Sequence, residues 1–486
     1  MQAKQSTQQE AQSKKTKILL LGAGYANMSL LTRLDEKTLS KAQFSIITKE
    51  PYHYKSICLH DVASGKHDKS VLFNVDSTLD SKINVIQDEI TSIESSIVKG
   101  AKSSYEYDSL VVGLGFGSDD FGIKGVREYA KSITSYSSAR EIYALILSKL
   151  EGLREKDDDE AKLSFAVCGG GFSGIEFAGS LAEEVAKKCS EFGIDFGNIK
   201  IYCIEAAPKI LPMFSDSLQK AGRDKLESLG VQVLTSSKIL ECKQHSIIIE
   251  KQAAQSEIDA DVIIWTAGVK GNPVIESSPL FSSTILARSR VEVDEFLRPK
   301  ESKKSQDAIQ NTEQDTQKSV KQSTGKALQD SQEQNLAQSQ NDTKIQSNQT
   351  SSQATTLEDI SQSLSTQSNV LENVFVIGDC ASFRNEPSER FFPPTAQLAR
   401  EQGKYLAQVF QILLKKKTQK KLAQNKSPYG KKILPFRFTP KGSICSIGES
   451  YALGALGSFE IKGRLASVLK KIIESLWNLQ LKGFSL

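Results

Sequence analysis

The chain has 486 residues, 39% hydrophobic and 25% charged, which is ordinary for a globular protein and too long for one domain. Its net charge of +4 conceals a split: residues 411–486 carry 15 Lys/Arg against 3 Asp/Glu, or +12, leaving 47 against 55, or −8, elsewhere. The near-balanced total argues against a nucleic-acid binder, and no run reaches the roughly 18 consecutive apolar residues of a spanning helix.

Residues 1–15 have no apolar core, so they read as a disordered tail and not as a secretory signal. The apolar run Ile18 to Leu21 then enters the turn Gly22-Ala23-Gly24-Tyr25-Ala26-Asn27. A helical stretch follows, and a second strand-like run spans Gln43 to Thr48. The same unit recurs where Phe165 to Cys168 meets Gly169-Gly170-Gly171-Phe172-Ser173-Gly174, a helix from Ile175, and a strand from Ile199 to Ile204. Two such units predict an α/β chain with two Rossmann-like dinucleotide-binding domains.

Backbone N–H groups of a glycine turn approach a pyrophosphate at close range. Gly22 and Gly24 suit that role, with Asn27 at the third position, where Gly or Ala is usual. Gly169, Gly171 and Gly174 complete the second motif, with Phe172 and Ser173 between them. Glu205, at the end of the next strand, would accept from a ribose 2′-hydroxyl and repel a 2′-phosphate, predicting NADH over NADPH. After the first unit the strand ends in Thr48-Lys49-Glu50, so the usual acid is displaced. Strand ends at Gly113-Leu114-Gly115 and Thr266-Ala267-Gly268 mark the crossings between domains, and Phe375-Val376-Ile377 leads into Gly378-Asp379.

Residues 301–370 hold 15 Gln and 13 Ser and no aromatic side chain, so they cannot bury enough apolar surface to offset their ordering entropy. A disordered insert is expected over 299–370, bracketed by strand-like Val291 to Val293 and Val374 to Ile377. From Arg464 to Lys482 the apolar residues Leu465, Val468, Leu469, Ile472, Ile473, Leu476, Trp477 and Leu479 form one helical stripe, with Lys470, Lys471 and Lys482 off it. A basic amphipathic helix with Trp at its edge suits an in-plane membrane anchor on an anionic lipid surface; docking on its own domain or on a partner copy in a homodimer is the alternative. The expected division is a first dinucleotide domain over 16–140, a second, for NADH, over 141–285, the first resumed at 286–298 and 371–420, and a membrane-associating segment over 421–486. The seven cysteines lack CxxC or CxxxxC spacing and the four histidines lack ligand spacing, which predicts reduced cytoplasmic thiols and no metal.

The stretches GAGYA (22–26), PYHYKSICLHDVASG (51–65), GLGFGSDDFGIKG (113–125), GGGFSGIEFAG (169–179), IEAAPKILPMF (204–214), WTAGV (265–269), VIGDC (376–380) and PPTAQLAREQG (393–403) resemble the type II NADH dehydrogenases. These are single-subunit, non-proton-pumping NADH:quinone oxidoreductases of the two-dinucleotide flavoproteins, peripheral on the cytoplasmic face of the cell membrane. The resemblance implies FAD held by Gly22, Ala23, Gly24, Tyr25 and Ala26, with Thr48, Lys49 and Ile90 at its adenosine, and Gly115, Asp379, Ala396 and Gln397 along the ribityl chain and flavin. Lys470 resembles a basic residue reaching FAD. NADH would meet Gly169, Gly171, Phe172, Ser173, Gly174, Glu205 and Gly268. Glu176 resembles the active-site glutamate, implying a role in catalysis. Gln397 resembles the first glutamine of an AQxxxQ quinone motif, whose second place is Glu401 here, with Gln402 one residue on. A sulfide:quinone oxidoreductase would need cysteines by the flavin, where only Cys380 qualifies. A flavin-bound NADH sensor would bind both nucleotides without quinone turnover.

Overall fold

A computed structural model describes residues 15–155, 161–302, 371–416 and 433–482. The expected N-terminal tail falls almost wholly outside these residues, as do positions 303–370 of the expected insert and the basic run 417–432. Residues 299–302 behave as ordered chain: Lys300 N–H donates to Glu292 O and Ser302 N–H to Ser283 O, so regular pairing continues past the expected boundary at 299.

Two five-stranded parallel sheets carry the molecule. The first runs in the order Val374–Val376, Ser109–Val112, Thr16–Leu21, Ala42–Thr48, Asn84–Gln87. The second runs Ala130–Ser132, Val262–Trp265, Leu163–Cys168, Ile199–Ile204, Val231–Leu234. In each, the strand that feeds a glycine turn is central. Leu163–Cys168 is buried along its whole length and Thr16–Leu21 over its last four residues, as expected of parallel strands covered on both faces. Val374–Val376 returns to the first sheet from beyond the insert. Ala130–Ser132, which the sequence assigns to the first unit, pairs instead with the second sheet, because its neighbour Val262–Trp265 otherwise presents an open edge.

A glycine turn sits where strand order reverses, the crevice in which open α/β sheets bind ligands. Strands Phe116–Ser118 and Val269–Gly271 pair antiparallel, joining the two halves at this crevice. After the second sheet and the long helix Ala396–Lys416 comes a three-stranded antiparallel meander, Ser443–Ser446, Ala452–Leu456 and Phe459–Gly463, which runs into the C-terminal helix Arg464–Leu481.

That helix departs from the expected stripe at one position. Its apolar residues Leu465, Val468, Ile472, Ile473, Leu476 and Leu479 are exposed, Leu465 by 81%, while Ala466, Ser467, Trp477, Gln480 and Leu481 face inward. Trp477, expected at the edge of the outer face, is only 2% exposed. Its indole N–H donates to His53 and its ring packs on Tyr25, a polar and aromatic socket that apolar periodicity does not register. Among the described residues no helix is long and apolar enough to cross a membrane.

Candidate functional site

Beside the first glycine turn lies a cavity of about 740 Å³ lined by Gly22 to Ala26, Thr48, Lys49, Ile90, Gly115, Asp379 and Ala396, among others. Gly22 holds φ +85°, and a Cβ there would sit 2.5 Å from Gly113 O, so the turn admits only glycine. The strand-to-helix turn is closed by Asn27, whose side-chain amide donates to Leu21 O (2.8 Å) and Gly22 O (2.7 Å). Its amide occupies the space left by Gly113 on the neighbouring strand. Close approach of the Ala396–Lys416 helix is permitted by Gly403, where a Cβ would meet Ala26 O at 2.0 Å.

At the far end of this cavity Thr48 turns its hydroxyl back to Glu50 O, and Lys49 pairs with Glu89 at 2.8 Å. Asp379 closes the near end. Burial raises its carboxyl above the usual carboxylate range against the opposing pull of Arg290, whose guanidinium also donates to Asp379 O and Ala381 O. Cys380 donates its thiol to Gly115 O at 3.3 Å, and burial pushes that thiol up to about 12, leaving it protonated at neutral pH. All seven cysteines are free and buried.

The second turn has the same construction. A Cβ on Gly174 would lie 1.9 Å from Gly169 O, and Gly169 (φ +122°) packs against Ala267, whereas Gly171 faces open space. Gly171 caps the helix Phe172–Phe192 without a side-chain bond, which leaves its first-turn N–H groups for a ligand. Ser173 is exposed on that turn, and Phe172 packs edge-on against Phe214. Glu205 reaches the turn, accepting from Gly170 N–H (2.6 Å) and Ala207 N–H (2.7 Å). Gly268, at φ +75°, leaves the adjoining strand end.

Near the start of the helix Phe172–Phe192 a buried cluster of charge gathers around Glu176. Glu176 Oε1 accepts from Lys470 Nζ at 2.5 Å and from Ser446 N–H at 3.1 Å, and Lys470 also reaches Ser446 Oγ at 2.6 Å. The other carboxylate oxygen is 3.7 Å from His60 Nδ1, and His60 Nε2 is 3.4 Å from Asp61, which accepts from Ser180 and faces Lys66. Burial alone would raise the Glu176 carboxyl, but Lys470, His60 and Ser446 together hold it below its usual value. Lys470 is raised by Glu176 and Glu474 although burial opposes this. Asp61 is held down to about 2: burial opposes, but His60, Lys66 and Lys470 prevail. Lys470 therefore lies inward on Glu176 and is not among the residues lining the first cavity.

Gln397 and Glu401, one helical turn apart, both face Lys441: Gln397 Oε1 accepts from its N–H (3.2 Å) and Glu401 from its Nζ (3.3 Å). Gln402 is fully buried and accepts from Gly378 N–H at 2.7 Å, which fixes the turn before Asp379. Position 401, not 402, thus shares a face with Gln397. His53, His60, Asp61 and Ser446 escape sequence reasoning. The first three lie within residues 51–65, and a search for metal spacing alone passes over them.

Two parallel sheets, each with a central strand feeding a glycine turn, define the two-dinucleotide oxidoreductases, and residues 16–303 match the pyridine nucleotide-disulphide oxidoreductase family. The chain is 30% identical to the type II NADH:quinone oxidoreductase of Staphylococcus aureus, across 96% of its own length and 95% of the relative's. It superposes on NDH2 of Plasmodium falciparum, solved in complex with NADH, with TM-score 0.68 at 19% identity, covering 95% and 94% of the two chains. The sulfide:quinone oxidoreductase of Aquifex aeolicus shares the fold with TM-score 0.64 at 14% identity, covering 96% and 92%. The chain belongs to the type II NADH:quinone oxidoreductases.

Proposed function

We propose that this chain oxidises NADH and reduces a membrane quinone, with FAD in the first cavity and NADH on the second glycine turn. The carrying observation is the C-terminal helix, which sets Lys470 on Glu176 with its inner face and presents Leu465, Val468, Ile472 and Leu476 on its outer face. One element so placed would bring a lipid-soluble substrate to a polar site beside the cofactor cleft.

The first cavity fits FAD through residues already described: a glycine turn with no room for a Cβ at Gly22, an open face at Gly115, and the Asp379 carboxyl near the expected ribityl chain. Bound there, FAD would supply two-electron chemistry between nicotinamide and quinone. Thr48, Lys49 and Ile90 would hold its adenosine end, and Ala396 and Gln397 would flank the ring. Gly169, Gly171, Phe172, Ser173, Gly174 and Gly268 would seat NADH, and Glu205 would exchange a backbone N–H for a ribose hydroxyl while repelling a 2′-phosphate.

The overall reaction, NADH + H⁺ + quinone → NAD⁺ + quinol, takes one proton from solvent per turnover. Glu176, kept as a carboxylate by Lys470, His60 and Ser446, would take up that proton in passing and hand it on, with Lys470 and His60 facing its two oxygens. Gln397 and Glu401 would border the quinone. The outer face of the C-terminal helix, with Arg464, Lys471 and Lys482 beside its apolar stripe, would rest on an anionic bilayer at the cytoplasmic face of the cell membrane. A domain division of 16–140 with 286–298 and 371–420 for FAD, 141–285 for NADH and 421–486 for the membrane remains the working organisation, with Ala130–Ser132 moved to the second unit and 299–302 added to the segment that begins at 286.

The test is purified protein with NADH or NADPH and a soluble quinone. Rapid quinone-dependent oxidation of NADH, with NADPH much slower, is expected. Turnover driven by sulfide would favour the sulfide:quinone reading, and flavin reduction with no quinone turnover would favour an NADH sensor; either would overturn the proposal.

A further inference from the structure

The C-terminal helix reaches the Ala23 carbonyl of the first glycine turn through a buried imidazole, His53, while its Trp477 ring packs directly on Tyr25. Trp477 Nε1 lies 3.0 Å from His53 Nε2, and His53 Nδ1 lies 2.9 Å from Ala23 O, the middle residue of Gly22-Ala23-Gly24. An indole nitrogen can only donate, so His53 Nε2 is the acceptor and Nδ1 carries the proton that goes to Ala23 O. The tautomer is thereby fixed from both ends. Burial presses the imidazole down to about 4, so it stays neutral and can accept. His53 and Trp477 are each at most 2% exposed. Their rings also enclose Tyr25, which lies 5.1 Å from each, and Arg400 caps the indole at 4.7 Å.

The Ala23 carbonyl and the Gly24 N–H belong to one trans peptide and point in opposite directions. Holding the carbonyl therefore sets the direction of the Gly24 N–H, in the turn that lines the cavity. We propose that His53 is a positioning residue for the cofactor turn, and that through Trp477 it makes FAD retention depend on the docked C-terminal helix. This rests on the assignment of FAD to the first cavity. By linkage the dependence is mutual: a bound cofactor steadies the helix, and an undocked helix loosens the cofactor.

Trp477→Phe removes the indole N–H and keeps an aromatic ring. The helix stays seated through Gln480, which accepts from Arg33 at 2.8 Å and Arg400 at 3.2 Å. His53→Phe removes both links, and His53→Asn retains an amide to serve Ala23 O while losing the acceptor for the indole. The experiment follows FAD release from full-length holoprotein after dilution, by the rise of free-flavin fluorescence, with circular dichroism to establish folding. Release about tenfold faster is expected for Trp477→Phe and for His53→Phe, equivalent to about 1.4 kcal/mol. His53→Asn should lie between wild type and His53→Phe and rescue the turn if the phenylalanine variant does not fold. Adding Trp477→Phe to either His53 variant should change release less than twofold, since the shared link is already gone. Release from Trp477→Phe within twofold of wild type, or effects that multiply in the double variants, would overturn the inference. A wild-type protein that takes up no FAD would instead overturn the cofactor assignment beneath it.

Discussion

Glu176 meets a lysine, a serine and a histidine in a space that excludes most water, so its charge is held by specific partners and not by solvent. Replacing it by Gln keeps the shape but leaves the Lys470 ammonium without its carboxylate, and breaking a buried pair in this way costs about 3 kcal/mol. Quinone turnover of Glu176→Gln should fall at least tenfold while the NADH-driven bleaching of flavin absorbance changes less than threefold, measured by stopped-flow. The sign of the pH effect follows from the depressed carboxyl. Its stabilisation is complete above the ordinary value of 4.5 and is lost as pH falls through the lower folded-state value. The difference in Tm between wild type and Glu176→Gln should thus be steady near neutral pH and shrink below pH 4.5. A gap that widened in acid would contradict this. Glu205 offers a separate prediction: Glu205→Ala should reduce the preference for NADH over NADPH at least tenfold in kcat/KM, because the repulsion of a 2′-phosphate is removed. The Gly170 and Ala207 amides it now satisfies would then be free to meet that phosphate.

At the scale of an element, the C-terminal helix shows how periodicity can find a stripe and misassign a member. Seven of its eight apolar positions repeat as expected, and six of them are among the exposed large hydrophobics. Trp477 has the same hydrophobic character but faces the other way. Its N–H finds His53, while the neighbouring Gln480 finds Arg33 and Arg400, so the inner face is held by directed bonds that a hydrophobicity pattern cannot display. Lys470, read as lying off the apolar stripe, is buried on Glu176, with its charge paired there. The outer face gives the third prediction. Ile472→Gln with Leu476→Gln should lower partitioning onto vesicles containing anionic lipid at least tenfold, since each change removes apolar area worth about 1–2 kcal/mol when buried. Binding of wild type should also weaken as salt rises. Salt-independent binding, or unchanged binding of the double variant, would argue against this face as the lipid contact.

Across the whole molecule, two repeats of one strand–turn–helix plan are set side by side, and a C-terminal unit is drawn back over both. The glycine turns could be read locally because their backbone requirements are local: a positive φ at Gly22, and an approach too close for a Cβ at Gly174. The parallel sheets followed from short, continuously apolar runs, and Val374–Val376 completing the first sheet after the insert followed from its strand-like sequence. Other features had no local signal. Ala130–Ser132 is three residues of unremarkable composition whose place in the second sheet depends on the edge offered by Val262–Trp265. Glu176 and Lys470 are 294 positions apart, and His53 and Trp477 are 424 apart. The sequence by itself determined the two glycine turns, their acidic and glycine residues and the apolar stripe, because each depends on backbone geometry or periodicity within a few residues. Only the tertiary structure decided which cation meets Glu176, which acid shares a face with Gln397, and which ring bonds the Ala23 carbonyl. Those choices arise when distant segments enter one buried volume, where each donor must find an acceptor among whatever the packing has brought near.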